Sequence, residues 1–176
     1  MAWKQSITVK KLAQVSASCK KTALTADDTL FFKTQNGKWS IAENLVHLAK
    51  SAKAVNRALS MPKEQMLVAF GKPNHASRDF KTVFQVYKTF LAKGGIATNP
   101  FSPQITEGDT KQGITELFDN QHNIYIALLK NFTETDLDNY QMPHPALGNL
   151  TIREMGYFMV FHIEHHENTI KNILLA

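Results

Sequence analysis

Apolar residues recur three and four positions apart through most of this 176-residue chain, and no stretch alternates long enough to build a sheet. Two of the periodic stretches begin with the spacing of a capping box, in which Ser or Thr is followed three residues later by Glu. These are Ser40 with Glu43 and Thr151 with Glu154. Period and caps together predict an all-α fold.

Glycine, proline and cap residues divide the chain into four principal helices. The predicted helices span about 6–34, with a break near 24–27, about 41–60, about 110–131 and about 151–174. Residues 61–109 are rich in Pro and Gly and are predicted to form a long crossover with one helix at about 77–93. Four helices and one long crossover make a four-helix bundle, and the length fits a single domain over 1–176.

The net charge of +5 is unevenly distributed along the chain. Residues 1–94 hold 16 basic and 5 acidic side chains, whereas residues 95–176 hold 4 basic and 10 acidic ones. Lys supplies 17 of the 20 basic residues, and no nucleic-acid-binding motif accompanies them. We therefore expect no nucleic-acid partner, and an anionic small molecule is the more plausible ligand.

Cysteine content and hydropathy restrict the class of protein further. The single cysteine, Cys19, excludes an internal disulfide framework and a cysteine-rich metal site, which fits a cytoplasmic protein. No apolar run approaches the roughly 18 residues that span a bilayer, so no membrane association is expected. Cys19 falls at a core position of the first helix and is predicted to be a small buried hydrophobe.

Two histidines interrupt the apolar face of the last helix. His162 and His166 lie one turn apart in the middle of that face, and such a pair can place two nitrogens on one metal ion. The alternative is a pair of ordinary core histidines whose nitrogens are satisfied by carbonyls, a carboxylate or water. The pair by itself leaves both interpretations open.

A third histidine favours a metal site over a pair of ordinary core histidines. His47 lies at the edge of the apolar face of the second helix, beside Ser51, Ala54 and Ala58. Small side chains there leave room for an ion or a substrate, although they are equally consistent with a close helix contact. Two histidines from one helix and one from a facing helix would leave coordination positions open, as in a catalytic metal site.

The remaining histidines are weaker candidates. His165 falls at the border of the polar face, where a solvated neighbour of the site is expected. His75 and His144 fall in loops with Pro and Gly and are expected to be exposed. His122 is expected to be partly buried and is a minor candidate for lining the site.

Spacing excludes two metalloenzyme classes. A zincin requires Glu directly after the first histidine of the pair, and Ile163 stands there. A di-iron carboxylate bundle requires Glu-x-x-His, and no Glu of the chain is followed by His at that spacing.

The second helix opens with KWSIAENLVHL at residues 38–48, and GNLTIRE at 148–154 leads into the last helix, which contains HIEHH at 162–166. These segments resemble the DinB/YfiT-like family of metal-binding four-helix bundles. The resemblance implies an up-down-down-up topology and a homodimer. It also implies one divalent ion, with Zn²⁺ or Ni²⁺ expected, on His47, His162 and His166.

The resemblance implies a class of chemistry without fixing the substrate. Members are commonly described as metal-dependent hydrolases, and related transferases use small thiols such as bacillithiol or mycothiol. The leading hypothesis is hydrolysis of a small electrophile or thiol transfer to it, and since Cys19 is expected to be buried, a cosubstrate would supply the sulfur. Because no acid or base residue stands out, the alternative is a non-catalytic, dimeric metal- or ligand-binding module.

Overall fold

The computed structural model describes residues 2–35, 37–96 and 99–176. Within these ranges the chain forms eight helices and one two-stranded hairpin. The elements are α1 (Gln5–Leu24), α2 (Asp28–Phe32), α3 (Ile41–Leu59), α4 (Lys63–Phe70), α5 (Phe80–Ala92), α6 (Lys111–Leu129), α7 (Glu134–Asn139), β1 (Gln141–His144), β2 (Gly148–Thr151) and α8 (Ile152–Leu174). The predicted helical fold is confirmed, and the short helices α4 and α7 and the hairpin are additions to it.

The first and last long helices, α1 and α8, run parallel and approach closely. Ser18 Oγ donates to Glu167 Oε1 at 2.8 Å near one end of the pair. Towards the other end Gly156 faces Thr8, and a Cβ built on Gly156 would lie 2.8 Å from Thr8 Cγ2. A larger residue at position 156 would therefore push the two helices apart.

The other long helices run in the opposite direction. Gln5 Nε2 donates to the carbonyl of Leu129 at 3.0 Å, and Lys20 pairs with Asp119 at 2.9 Å, so α1 and α6 are antiparallel. The histidine contacts described below show that α3 is antiparallel to α8. The bundle formed by α1, α3, α6 and α8 is therefore up-down-down-up, as predicted.

Both predicted capping boxes are present. Ser40 Oγ accepts from the Glu43 amide at 3.1 Å, and Glu43 Oε2 accepts from the Ser40 amide at 2.7 Å. Thr151 and Glu154 make the same reciprocal bonds at 3.2 and 3.1 Å. The two boxes set the starts of α3 and α8, the helices that carry the three candidate ligands.

Glu154 also anchors the crossover to the bundle. Its side chain is 0% exposed and accepts from the Arg78 amide at 2.7 Å. The Arg78 guanidinium reaches both carboxylate oxygens, with Nε at 2.7 Å and Nη2 at 3.1 Å. One buried carboxylate thus caps α8 and holds the segment that leads into α5.

The prediction of a single helix in the 61–109 crossover is wrong, because α4 precedes α5 there. Pro62 and Gly71 suggested breaks, but they bound a short helix: Pro62 directly precedes its first residue, and Gly71, at φ +70°, ends it. Residues 97–98 of the crossover lie outside the described ranges.

The hairpin also departs from the prediction of helices alone. β1 pairs antiparallel with β2, placing Met142 opposite Leu150, and residues 145–147 connect them. With only four residues in each strand, the alternation is too short to detect in the sequence. The hairpin leads directly into α8.

Every helix in the described ranges is either too short or too polar to span a membrane. Cys19 is fully buried in the core, as predicted, and burial raises the pKa of its thiol to about 12. A protonated thiol in the core is a poor nucleophile.

Candidate metal centre

His47 on α3 and His162 and His166 on α8 come together in the interior of the bundle. Their exposed fractions are only 4–7%, and the three ring centroids are 4.8–4.9 Å apart. One nitrogen from each ring lies within 4.8 Å of the other two. The structure therefore brings together the three residues selected from the sequence.

Hydrogen bonds orient two of the rings. His47 Nδ1 donates to the carbonyl of Phe101 at 2.8 Å. His166 Nδ1 donates to Asn44 Oδ1 at 2.6 Å, and the Asn44 amide nitrogen in turn donates to the Ser40 carbonyl at 2.8 Å. A carbonyl oxygen can only accept, so both rings carry hydrogen on Nδ1 and leave the Nε2 lone pair free.

The third ring completes a donor set that suits a cation. His162 Nε2 lies 2.9 Å from His47 Nε2, while its buried Nδ1 has no hydrogen-bond partner in the described part of the chain. At that distance His162 Nε2–H donates to the lone pair of His47 Nε2. The other neutral tautomer of His162, with its hydrogen on Nδ1, presents a third Nε2 lone pair, and a divalent ion accepts all three, whereas a carbonyl or carboxylate ligand would be repelled by them. The three-histidine cluster thus fits a divalent metal, and imidazole suits Zn, Ni, Cu and Fe alike.

Burial keeps these imidazoles neutral. Loss of hydration lowers the pKa of His47, and it lowers those of His162 and His166 well below the usual value of 6.5. The neighbouring histidines add to this effect because two imidazolium ions would repel each other. Metal binding needs the unprotonated ring, so the cluster is in the correct protonation state at neutral pH.

A cavity of about 740 Å³ opens beside the cluster. The small residues Ser51, Ala54 and Ala58 all line it, so they provide space for a ligand rather than a close helix contact. Most of the remaining wall is apolar, and six aromatic side chains contribute to it. They are Trp39, Phe70, Tyr87, Phe90, Phe101 and Phe158.

The cavity wall carries almost no formal charge. Among its described lining residues there is no Asp or Glu, and Lys38 is the one Lys or Arg. Glu43, the acidic residue one turn before His47, is engaged in its capping box. The part of the wall that the structure describes therefore offers no carboxylate as a general base.

The other histidines separate into several environments. His75 is exposed, as predicted, and His165 is exposed at the rim of the cavity with its ring 5.1 Å from that of His166. His122 is 1% exposed and does not line the cavity, where the sequence suggested partial burial. The prediction that His144 is exposed is wrong, since it is half-buried and lines the cavity.

Two groups that orient the histidines were not found from the sequence. The Phe101 carbonyl could not be, because a backbone acceptor leaves no signature in residue identity. Asn44 had a detectable signal, since it is a polar residue on the buried side of α3. It lies three residues before His47, which places it on the same side of the helix.

Asn44 offers a test of the cluster's orientation. Replacing it with Leu is expected to weaken zinc binding about 10- to 100-fold, because His166 then loses the acceptor that fixes its ring. Competition with a chromophoric zinc chelator measures this, and Asn44→Asp, which retains an acceptor, is expected to bind much more tightly than the Leu variant. Asn56→Leu is the matched control, because Asn56 is buried on the same helix but donates to the Gln121 carbonyl. Equal losses in both Leu variants would contradict the assignment.

His122 predicts a pH dependence of stability that is separate from the cluster. Its Nδ1 donates to the Phe118 carbonyl at 2.7 Å, and burial lowers its pKa to about 4. Below pH 6.5 the His122 side chain is protonated in the unfolded chain, whereas in the folded chain it stays neutral down to about pH 4. Protonation therefore favours the unfolded state, and the free energy of unfolding falls as the pH falls. From about pH 7 to pH 5 the metal-free protein should lose about 2 kcal/mol more than His122→Phe. Urea unfolding at several pH values measures this difference, and an unchanged slope would refute it. His75→Gln, at an exposed position, is the control.

Comparison with known proteins gives a family match and structural matches, two of which are described here. The model of the DinB superfamily matches residues 21–170, and no curated protein sequence matches the chain. YfiT from Bacillus subtilis, described as a probable metal-dependent hydrolase with an unusual four-helix bundle topology, is 18% identical with a TM-score of 0.61 over 96% of this chain and 85% of its own. The colibactin self-resistance protein ClbS, solved in complex with dsDNA, is 12% identical with a TM-score of 0.53 over 97% of this chain and 95% of its own. At these identities the structural likeness establishes the fold alone.

Proposed function

The chain belongs to the DinB superfamily, and from that premise we propose that it is a divalent-metal-dependent enzyme acting on a small electrophile. His47, His162 and His166 are proposed as the ligands, with Zn²⁺ or Ni²⁺ as the ion. The observation that carries the proposal is the convergence of three neutral imidazoles at the wall of an apolar cavity. YfiT, described as a probable metal-dependent hydrolase, supports the same class of activity.

In the proposed reaction the metal ion would activate the nucleophile, and the protein residues would orient the ligands and bind the substrate. His47, His162 and His166 would hold the ion, which when bound would lower the pKa of a nearby water or thiol and so supply a nucleophile near neutral pH. Asn44 and the Phe101 carbonyl hold two of the rings in the ligating tautomer. The aromatic walls offer an apolar surface to a substrate body, and a substrate bound there would displace water and strengthen electrostatic interactions at the cluster.

The nucleophile is proposed to be either water, giving hydrolysis, or a small thiol, giving thiol transfer. Cys19 is buried in the core, so a reacting sulfur would come from a cosubstrate. Lys38 at the cavity supports an anionic thiol. ClbS was solved with dsDNA, but the apolar cavity favours a small molecule over a nucleic acid in this chain.

A second candidate function is a non-catalytic metal- or ligand-binding module. The absence of Asp and Glu from the described lining of the cavity favours it, because many hydrolytic sites use a carboxylate base. A homodimer stays a prediction for either function, and light scattering on the purified protein tests it.

The experiment begins with protein purified without a metal-affinity tag. Zinc- and nickel-loaded samples are assayed for hydrolysis of p-nitrophenyl acetate and for conjugation of small thiols to monochlorobimane. Turnover that needs the metal and is lost in His162→Ala but kept in His75→Ala would support the enzyme. Full metal occupancy without turnover across both assays would favour the binding module instead.

A substitution that fills part of the cavity distinguishes an effect on substrate binding from an effect on metal binding. Ala54→Phe is expected to lower kcat/KM at least tenfold in whichever assay responds, because Ala54 lines the cavity and the added ring would occupy part of it. Metal content is expected to stay at the wild-type level, measured by mass spectrometry of the dialysed protein. Ala13→Phe, at an exposed position of α1, is the control. Loss of the metal together with activity would show that the change disrupts the cluster itself.

A further inference from the structure

His144 reaches the cavity from the hairpin, an element that contributes none of the three candidate ligands. Its ring meets Phe158 edge-on with centroids 4.3 Å apart, and Phe158 stacks against His162 at 4.9 Å. His144 therefore lies in the same wall as the cluster, one aromatic ring away from it. The flanking residues Pro143 and Pro145 also line the cavity and restrict the backbone on either side.

The hairpin fixes which nitrogen of His144 carries the hydrogen. His144 Nδ1 accepts from the backbone amides of Ala146 and Leu147, each at 3.1 Å. An amide N–H can only donate, so Nδ1 is unprotonated and the neutral ring carries its hydrogen on Nε2. The geometry of the ring places Nε2 on the side opposite Nδ1, and the described residues make no hydrogen bond to it. The two hydrogen bonds to Nδ1 therefore fix the orientation of the ring and, with it, the direction of the Nε2–H donor on the opposite side.

We propose that His144 Nε2–H is a substrate-binding donor that holds the carbonyl oxygen of an electrophile beside the three-histidine cluster. The proposal rests on the proposed function and names its substrate class: an ester, a thioester or an unsaturated carbonyl compound. When a nucleophile adds to such a compound, an electron pair moves onto the carbonyl oxygen. The oxygen gains charge, its bond from Nε2–H strengthens, and His144 keeps its proton throughout.

The surroundings of His144 suit this role. Burial lowers its pKa to about 4, so the ring stays neutral at pH 7 and remains a single, oriented donor. A neutral donor in an apolar wall binds an uncharged carbonyl without requiring a counter-charge. The aromatic walls of the cavity can contact the apolar part of such a substrate. Among the described lining residues there is no carboxylate that would compete with the carbonyl oxygen for the His144 N–H.

The test uses two probes that differ only in the acceptor. The zinc-loaded protein is titrated with para-fluoroacetophenone and with para-fluoroethylbenzene, and fluorine NMR gives both dissociation constants. His144→Phe removes the donor but keeps a ring, and His144→Gln restores an N–H donor. The ketone is expected to bind the wild type about three- to tenfold more tightly than the Phe variant, with partial recovery in the Gln variant. The hydrocarbon is expected to bind all three proteins alike.

A second readout uses only the wild-type protein, in case the variants fold poorly. Long-range proton–nitrogen NMR is expected to show His144 with hydrogen on Nε2, and this resonance is expected to move on adding the ketone but not the hydrocarbon. A resonance that does not move, the other tautomer, or a ketone that binds no better than the hydrocarbon would overturn the proposal. Zinc content is measured on the same samples, so failure of the metal centre is recognised separately.

Discussion

Replacing His162 with Ala is expected to abolish tight metal binding, which is the largest functional effect predicted for a single residue of this chain. His162 is 4% exposed, and its Nε2 faces that of His47 at 2.9 Å. A metal at about one hundred times its dissociation constant raises the free energy of unfolding by about 2.7 kcal/mol. For a chain of this length that corresponds to a melting temperature about 5–10 °C higher.

The prediction is measured by metal content after dialysis and by the change in melting temperature on adding zinc. Wild type is expected to retain close to one ion per chain, whereas His162→Ala should retain almost none and show almost no change in melting temperature. His165→Ala is the matched control, because His165 is on the same helix with its ring 5.1 Å from that of His166, but is exposed. A full equivalent of tightly held zinc in His162→Ala would exclude the proposed centre.

Replacing Glu154 with Ala is expected to be the most destabilising single change predicted from this structure. The fully buried carboxylate receives the Arg78 guanidinium and amide together with the Thr151 amide. Removing it leaves Arg78, whose side chain is 29% exposed, without its partner and also removes half of a capping box. The expected loss is about 3–5 kcal/mol, the range seen when one partner of a buried ion pair is removed.

Urea unfolding followed by circular dichroism tests this value. Lys20→Ala is the control, because the Lys20–Asp119 pair has side chains 35% and 39% exposed, and its loss is expected to cost less than about 1 kcal/mol. Similar losses in the two variants would mean that Glu154 contributes no more than a surface pair. Arg78→Met should recover part of the loss when combined with Glu154→Ala, since it removes the unpaired charge.

Local signals account for what the sequence predicted well. A capping box is formed by two residues three positions apart, so Ser40 with Glu43 and Thr151 with Glu154 are readable from spacing alone. The long helices carry a strong apolar period, and their number and long crossover were enough to predict the bundle. His162 and His166 could be placed on one face of α8 for the same reason.

Features that depend on distant partners were missed. The Phe101 carbonyl reaches His47 from 54 residues away, and no sequence pattern encodes that contact. His144 was expected to be exposed because its neighbours Pro143 and Pro145 are typical of surface loops, yet the hairpin turns it towards Phe158.

The helix α4 was missed for a different reason, which is its length. It has 8 residues between Pro62 and Gly71, and so short a helix does not show a detectable apolar period.

The contacts of the three-histidine cluster join parts of the chain that are far apart in sequence. His47 and His162 are 115 residues apart, and Asn44 and His166 are 122 residues apart. Contacts that close such long loops are entropically costly and tend to form late in folding. Stabilisation confined to late contacts appears mainly as slower unfolding, with little effect on the rate of folding. An ion bound by these residues would therefore prolong the lifetime of the folded chain without speeding its assembly.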